Sequence, residues 1–522
     1  MLRLRGLTMA ALASLGLAIS IPAMASPFDT LFGSPTSLPP SAATEGLRDP
    51  VTYRSENGRL DVTLEARLAR VKVGKFEINA ATYNGVYGGP VLRVKPGDVL
   101  HVHLVNHLDQ ATNIHFHGLA VSPLGHGDNA MKAILPGESW DYEVPIPADH
   151  NPGLYWYHTH AHGFAERQLM AGLSGMLVIE GFETQAPGLA ALKQRLFALK
   201  DFQADSHGDL YRVLKAYHRD IRTINGQLMP RIELQPGETQ LWRLSNQTAN
   251  AFFRLTLEGH TFRIIGRDSA PVVTPETVKE LIFGPSQRLD VLVDGGPPGA
   301  YRLVSERTLT GPAGDEFPAQ NMALVVVAPP AAGEAAAASL PKASGFSTAR
   351  DLSHVKIDAR RLVVFSNDDA TGLFFINHRI FDHARVDVRV PLGNTEEWTI
   401  RNSADELHIF HIHQAPFQVV SVNGEAEPFD GLVDTVTVPI HGEVRIRIPF
   451  TDPRIVGRFM FHCHILEHED KGMMAQIEVY DPKAGPMPPM PDHGAAPMGM
   501  EGMAMAPAGH ASDTAQSLSG AR

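Results

Sequence analysis

The stretch F-M-F-H-C-H-I-L-E-H-E-D-K-G-M-M, residues 459–474, decides how the rest of the chain is interpreted. It contains Cys463, the only cysteine among 522 residues, which therefore cannot form an intrachain disulfide. One thiolate, two imidazoles and a weak thioether are the ligands of a trigonal blue-copper site. Cys463, His468 and Met473 could supply three of these ligands, and the second imidazole must come from another part of the chain.

The same stretch predicts a β-strand from Phe459 to His464. Because successive side chains of a strand point to opposite faces, we expect Cys463 on one face and both His462 and His464 on the other. A metal in front of the strand and further metals behind it could then exchange electrons through a short piece of backbone. This arrangement indicates a redox function.

Length and composition favour a globular protein of several β-rich domains. At about 150 residues per domain, 522 residues predict three domains, and 46 Gly and 39 Pro suit a chain with many turns. The net charge of −12 argues against a nucleic-acid partner, because phosphate binding requires clustered Lys and Arg.

Residues 1–25 have the pattern of a signal peptide. Arg3 and Arg5 precede an apolar run, and Ala23-Met24-Ala25 fits a cleavage site. The apolar run is short for a membrane anchor, so we expect cleavage after Ala25, a periplasmic location and a mature chain without a membrane span. The secretion route stays open.

An internal repeat predicts the architecture. Asn84-Gly85, Asn225-Gly226 and Asn377 each begin a similar succession of turns and alternating strands. The predicted fold is therefore all-β, with three Greek-key barrel or sandwich domains. The predicted boundaries are 46–184 for domain 1, 190–330 for domain 2, 331–352 for a linker and 353–482 for domain 3.

The last forty residues, 483–522, are rich in Met, Pro and Gly and are expected to be disordered. Soft thioethers suit Cu(I), so this tail could collect copper. An ordinary low-complexity tail explains its composition equally well, and both interpretations stay open.

Three further histidine clusters accompany Cys463. An H-x-H pair on a strand places both rings on one face, where they can reach the same metal or adjacent metals. The clusters are H-x-H-G at 115–118, H-x-H at 158–160 and H-x-x-H-x-H at 408–413. Four such clusters holding ten histidines and the sole cysteine predict a copper protein.

These four motifs together resemble the three-domain multicopper oxidases, the family of laccases, cuprous oxidases and ferroxidases. The resemblance covers nearly the whole mature chain and implies cupredoxin-like domains with four copper ions. It implies a type 1 copper held by His408, Cys463, His468 and axial Met473. It implies a type 2 copper held by His115 and His411, and a type 3 pair held by His117, His158, His160, His413, His462 and His464.

The resemblance also implies a reaction. A small reducing substrate would give up electrons singly at the type 1 copper, and Cys463, His462 and His464 would relay them to the three-copper cluster, where O2 becomes water. Glu469 matches an acid that serves the type 3 pair in some bacterial members, and Asp128 matches an acid near the type 2 copper. We expect both to be catalytic carboxylates, and the family favours a monomer.

The substrate stays open at this stage. Phenols or aromatic amines would make the protein a laccase, and Cu(I) would make it a metallo-oxidase. Asp405 and Glu406, just before His408, could bind a metal ion, accept a hydrogen bond from a phenol or simply form a polar turn. The alternative function is a periplasmic copper-binding or storage protein without oxidase turnover.

Overall fold

A computed structural model describes residues 45–484, except 75, 187, 205–207, 211–220, 330–337 and 339–348. The predicted signal peptide, most of the predicted linker and nearly all of the predicted tail lie outside the described residues. The described chain consists mainly of β-strands, which form three sets along the sequence. Neither of its two α-helices approaches the length and apolar character that a bilayer crossing requires.

The first set spans residues 52–179. Its strands are Thr52–Arg54 (β1), Arg59–Val73 (β2), Phe76–Tyr83 (β3), Val91–Val94 (β4), Val99–Asn106 (β5), His115–His117 (β6), Ser139–Pro145 (β7), Gly153–His158 (β8) and Ser174–Ile179 (β9). They form two sheets, of order β3-β2-β5-β7 and β1-β4-β9-β8-β6. Helix α1, Ala165–Ala171, connects β8 to β9.

The second set spans residues 193–327. Its strands are Lys193–Phe202 (β10), Ile221–Ile224 (β11), Arg231–Leu234 (β12), Thr239–Asn246 (β13), Phe253–Leu257 (β14), Phe262–Arg267 (β15), Ala270–Val278 (β16), Glu280–Phe283 (β17), Arg288–Asp294 (β18), Gly299–Ser305 (β19), Thr308–Leu309 (β20), Glu316–Phe317 (β21) and Gln320–Val327 (β22). The main sheets have the order β11-β10-β13-β18-β15-β16 and β12-β22-β19-β14-β17. Two 3₁₀ turns, Phe182–Thr184 and Leu189–Ala191, precede this set.

The third set spans residues 359–480. Its strands are Ala359–Asp368 (β23), Leu373–Ile376 (β24), Val388–Pro391 (β25), Asn394–Asn402 (β26), His408–Ile412 (β27), Gln418–Val422 (β28), Glu425–Ala426 (β29), Thr435–Val438 (β30), Glu443–Phe450 (β31), Gly457–Cys463 (β32) and Met474–Tyr480 (β33). The sheets have the order β24-β23-β26-β31-β28-β29 and β25-β33-β32-β27-β30. A 3₁₀ turn, Pro453–Ile455, precedes β32, and helix α2, Leu466–Asp470, follows it.

The predicted repeat is visible in three equivalent turns. Asn84, Asn225 and Asn377 have φ values of 57°, 52° and 52°, a left-handed conformation that asparagine tolerates well. Each side-chain amide donates to a carbonyl of the neighbouring strand and accepts from the backbone N–H two residues further along that strand, and Asn225 also donates to the Arg48 carbonyl. The repeated sequence therefore specifies the same local structure three times, as the all-β prediction with three cupredoxin-like domains required.

A second repeated asparagine leads the chain toward the functional strands. Asn106, Asn246 and Asn402 end β5, β13 and β26, and each side chain bonds the loop that follows. These loops lead to β6, β14 and β27. Strand β14 carries no histidine, so at this position the second set has no counterpart of His115–His117 or of the 408–413 cluster.

The third set surrounds a large apolar core. Trp398, Phe410 and Phe461 are fully buried in it, and so are Cys463 and Met473. Strand β32 begins two residues earlier than expected and ends at Cys463, so His464 lies just beyond the strand. Its inward-facing residues 459, 461 and 463 belong to this core, which places the thiol in an apolar, water-poor environment.

Candidate metal centre

Two groups of buried metal-ligating side chains lie on opposite sides of β32. Cys463 faces His408 from β27 and His468 from α2. His462 and His464 face the histidines of the first set of strands. The antiparallel pairing of β32 with β27, which aligns His462 with His411 and Cys463 with Phe410, produces this separation.

The cysteine group is a triangle of three ligand atoms. His408 Nδ1 lies 3.0 Å from His468 Nδ1, and Cys463 Sγ lies 3.5 Å and 3.6 Å from these two nitrogens. Cys463 and His408 are fully buried, and His468 is 3% exposed. Met473 is also fully buried in the same core, and its backbone carbonyl accepts a hydrogen bond from the Cys463 N–H. One thiol and two imidazoles that converge in this way suit a trigonal copper site.

The surroundings of His468 favour a positive charge. Burial lowers its pKa, but Cys463 and Glu406 raise the pKa to about 10 in the metal-free protein. The Glu406 carboxylate lies 3.5 Å from His468 Nε2, and the ring of Phe374 stacks on the imidazole at 4.0 Å. Cys463 and Glu406, which stabilise a proton on His468, would stabilise a bound metal cation in the same way.

The second group contains eight histidines from two sets of strands, all no more than 2% exposed. They are His115, His117, His158, His160, His411, His413, His462 and His464. The two sets interleave, because the ring of His115 stacks on His413 at 3.7 Å and the ring of His117 stacks on His411 at 3.8 Å. The Nε2 atoms of His160 and His413 each lie 3.3 Å from His462 Nε2.

The donor atoms fit metal ions. His115, His158 and His411 each use Nδ1 to contact an oxygen, and each leaves a buried Nε2 without a hydrogen-bond partner among the described residues. Burial lowers the pKa values of these three imidazoles, to about 3 for His158, so they are neutral and their lone pairs are available. Neutral imidazole nitrogens directed at one another leave the buried polar atoms unsatisfied unless a cation lies between them.

Two predicted carboxylates contact this histidine group. Asp128 accepts a backbone hydrogen bond from Phe116 and lies 3.0 Å from His115 Nδ1, and burial raises its pKa to about 8. Glu469 lies 3.1 Å from His462 Nδ1 and 3.6 Å from His160 Nε2. Burial raises the pKa of Glu469, but the neighbouring histidines lower it to about 2.

The middle set contributes a charged network that sequence reasoning missed. Arg288, at the start of β18, is fully buried and donates to both carboxylate oxygens of Asp434 at 2.8 Å and 2.6 Å. Asp434 in turn accepts a hydrogen bond from His411 at its carbonyl and lies 3.6 Å from His117 Nδ1. Asp268 lies 3.4 Å from Arg288 and also accepts hydrogen bonds from the backbone N–H groups of Asp434 and Thr435. No spacing in the sequence connects Arg288, Asp434 and Asp268.

A second unpredicted contact joins the two short helices. The Asp470 carboxylate, at the end of α2, accepts hydrogen bonds from the N–H groups of Gly163, Ala165 and Glu166 at the start of α1. It therefore satisfies the free N–H groups of a helix terminus on the other set of strands. This contact holds the segment that carries His160 against the segment that carries Glu469.

The two acids before His408 have different environments. Glu406 is 7% exposed and contacts His468, whereas the exposed Asp405 pairs with His441 at 2.6 Å. Of the two acids, therefore, only Glu406 contacts the cysteine group. From the sequence alone, the roles of Asp405 and Glu406 could not be distinguished.

Comparison with known proteins agrees with this arrangement. Residues 68–183, 156–327 and 355–483 match three family models, each described as multicopper oxidase. The chain is 28% identical over 440 residues to the multicopper oxidase mco of Staphylococcus haemolyticus, covering 82% of this chain and 90% of that protein. It is 27% identical to the cell division protein FtsP of Gallibacterium anatis, covering 80% of this chain and 90% of that protein.

Among solved structures, a multicopper oxidase from Campylobacter jejuni described as a metallo-oxidase superimposes with a TM-score of 0.74. The two sequences are 27% identical, and the match covers 85% of this chain and 97% of the other.

Proposed function

The chain belongs to the multicopper oxidase family, and from this premise we propose that it couples one-electron oxidation of a small reducing substrate to four-electron reduction of O2 to water. The observation that supports turnover most strongly is the completeness of the donor set. Cys463 meets two imidazoles on one face of β32, and eight buried histidines meet on the other. A fold match alone would not support this, because the relatives include a protein named for cell division.

We assign the donors by the family's pattern. His408, Cys463 and His468, with Met473 as the axial ligand, would hold the type 1 copper. His115 and His411 would hold the type 2 copper. The type 3 pair would use His117, His158, His160, His413, His462 and His464. Four copper ions, when bound, supply the one-electron redox chemistry that no side chain of this protein provides.

The chain's own residues connect the two groups. Cys463 is covalently adjacent to His462 and His464, so β32 offers a direct path from the thiol to the histidine group. The stacked pairs, His115 on His413 and His117 on His411, fix the distance between the two contributing sets of strands. Ligands held in this way need little rearrangement during turnover.

The two carboxylates can manage the protons that O2 reduction consumes. Asp128, whose pKa is about 8, can hold a proton on its carboxyl near neutral pH beside His115. Glu469, whose pKa is about 2 in the metal-free protein, is ionised there and can take up a proton only transiently, passing it on beside His462 and His160. A proton donor and a proton acceptor that both contact the eight-histidine group suit repeated proton delivery.

The substrate would meet the protein beside His468. Glu406 is directed at this imidazole, and its carboxylate could bind Cu(I) or accept the hydrogen bond of a phenol. The similarity to a structure described as a metallo-oxidase supports a metal ion as a substrate, and we propose Cu(I) as that ion. We propose that both classes are oxidised here, with Glu406 as the shared recognition group.

Copper binding without turnover is the second candidate. A periplasmic copper-storage protein would explain the Met-rich residues 483–522, and the FtsP relative shows that the fold occurs in a protein named for another role. A storage protein would not require a thiol group on one side of β32 and an eight-histidine group on the other. The geometry therefore supports the oxidase.

One experiment separates the two. The copper-loaded protein should contain at least four copper ions per chain, be blue, and consume one O2 for every four equivalents of a one-electron phenol or of Cu(I) oxidised. A Glu406→Gln variant should lose more activity on Cu(I) than on a phenol, because only the cation requires the negative charge. A blue four-copper protein that consumes no O2 with either substrate would favour storage.

Location and assembly are proposals as well. We propose export to the periplasm with cleavage after Ala25, and a monomer, since one chain contributes all the donors. Amino-terminal sequencing of the secreted protein and its mass in solution would test these two statements.

A further inference from the structure

A small cavity lies beside the eight-histidine group and is not used by the proposed reaction. It is lined mainly by apolar side chains, has a volume of about 50 Å³, and reaches His160. We call it the Met/His cavity because its lining includes Met131, Met460, Met474, His162 and His383. A space of this size can hold a metal ion or a few waters and is too small for an aromatic substrate.

The imidazoles of His162 and His383 lie close enough for both to reach one metal ion, and each also contacts the ring of Phe381. The ring centroids of His162 and His383 are 5.6 Å apart, with an angle of 70° between the planes. The corresponding distances within the neighbouring His160, His413 and His462 group are 4.8, 5.0 and 5.4 Å. Metal–nitrogen bonds of about 2.0 Å connect two rings at such distances with an open angle between them.

His162 also has an unsatisfied donor atom. Its Nδ1 is buried and has no hydrogen-bond partner among the described residues. A structural histidine in an apolar environment normally pairs both ring nitrogens, so the free atom needs an explanation. A metal ion in the cavity would provide one.

The other residues of the cavity indicate which metal. Met460 and Met474 are nearly fully buried, and Met131 packs against the same cluster. Thioethers are soft ligands that select Cu(I) over harder divalent ions. The lining cation Lys132 does not oppose this choice directly, because its ammonium group lies over the ring of Trp140 at 4.6 Å.

The loops that carry the two histidines are held in place. The Gln476 side chain donates to the His383 carbonyl at 2.8 Å, and the Phe381 N–H donates to the Gly472 carbonyl at 3.1 Å. Gly163, next to His162, donates to Asp470 at 2.7 Å. Ligands on loops fixed in this way lose little freedom on binding a metal.

We propose that the Met/His cavity is a fifth metal site, which binds Cu(I) between His162 and His383 with thioether support. His383 is exposed at the mouth, so the ion can enter from solvent, and His160 lies at the inner end. The site is separate from the four donor sets of the proposed oxidase and binds its ion without any change of oxidation state.

The test uses the full-length, copper-loaded protein and Ag(I), a redox-inert monovalent ion with the same ligand preference. Crystals soaked with Ag(I) should show an anomalous peak between the rings of His162 and His383. In solution, a His162→Ala/His383→Ala variant should bind one Ag(I) fewer than wild type. His383→Ala alone should weaken the site at least about tenfold, the lower end of what loss of a supporting group costs metal sites.

The matched control is His107→Ala, which removes an exposed histidine elsewhere and should leave the stoichiometry unchanged. Ligands in residues 483–522 are present in all these proteins and cancel in the comparison. Absence of silver from the cavity while it occupies other sites, or equal binding by the double variant and wild type, would overturn the proposal. Phenol oxidation by wild type tests the oxidase separately, so the two ideas can fail independently.

Discussion

Replacement of Arg288 by methionine would remove a buried cation that contacts two buried carboxylates. Arg288 donates to Asp434 at 2.8 Å and 2.6 Å and lies 3.4 Å from Asp268. Methionine keeps most of the side-chain volume and cannot donate. The variant therefore tests the charge and its hydrogen bonds with little change in packing.

The expected loss in the free energy of unfolding is about 3–5 kcal/mol, the range for breaking a buried ion pair by removing one partner. The loss should be larger at pH 8 than at pH 6. Burial and Asp434 raise the pKa of Asp268 to about 7 in wild type although Arg288 lowers it, so the variant without Arg288 keeps a proton on Asp268 to a higher pH. The stability difference between wild type and variant therefore grows as pH rises above that value. Below it, a bound proton relieves part of the cost.

The loss should extend to the metal centre. The Asp434 carbonyl accepts from His411 Nδ1 at 2.7 Å, and its carboxylate lies 3.6 Å from His117. Without Arg288, these two stacked imidazoles lose the group that orients them. We expect copper content to fall at the eight-histidine group while the blue absorption, which depends on Cys463, persists.

The assay is guanidinium unfolding of the copper-free protein at both pH values, together with metal analysis of the loaded protein. Arg254→Met is the matched control. Arg254 pairs with Glu280 at 2.7 Å, but the side chains are 40% and 26% exposed, so its removal should cost less than about 1 kcal/mol. If Arg288→Met lost no more than this control at either pH and kept all its copper, the structural role assigned to the network would be wrong.

Three further predictions concern the metal centre. Cys463→Ser should abolish the blue absorption and substrate oxidation while leaving the copper of the eight-histidine group largely bound; loss of both would contradict the placement of these groups on opposite faces of β32. Glu469→Gln should slow reoxidation of the reduced protein by O2, measured by stopped flow, on the order of 100-fold, since the Glu469 carboxylate contacts His462 at 3.1 Å. The oxidised variant should keep its blue colour. In the copper-free state, wild type should lose stability relative to Asp128→Asn by up to about 1.4 kcal/mol per pH unit as pH rises from about 4 to about 8, because the folded state binds the Asp128 proton more tightly than the unfolded state does. If the stability difference between the two proteins does not change with pH, the raised pKa of Asp128 is wrong.

Local patterns were sufficient to predict much of the fold. The three Asn-centred turns and the alternating strands depend on backbone conformation and on which face a side chain occupies, and both can be read over a few residues. Strand β5, with Leu100, Val102 and Leu104 buried, follows its alternation closely. The end of β32 was less predictable, because the chain passes after Cys463 into α2, whose position involves contacts with a distant part of the sequence such as that of Asp470 with Glu166.

The candidate site was predictable only in its donor residues. The four histidine motifs and Cys463 stand out because metal ligands are uncommon residues at regular spacing. The sequence did not predict which histidines of different motifs lie next to each other. Stacking of His115 on His413 joins residues about three hundred positions apart, and no local signal specifies such a contact.

By itself, therefore, the sequence determined the all-β architecture, the family and the set of candidate metal ligands, since each follows from residue types at short separations. Only the tertiary structure decided which atoms converge. In the folded chain Glu406 contacts His468 whereas Asp405 pairs with His441. Asp128 lies beside His115, and Arg288 pairs with Asp434. The tertiary structure also revealed the Met/His cavity between His162 and His383. These relations depend on how whole sheets pack, because burial and charge pairing across domains are properties of the assembled chain.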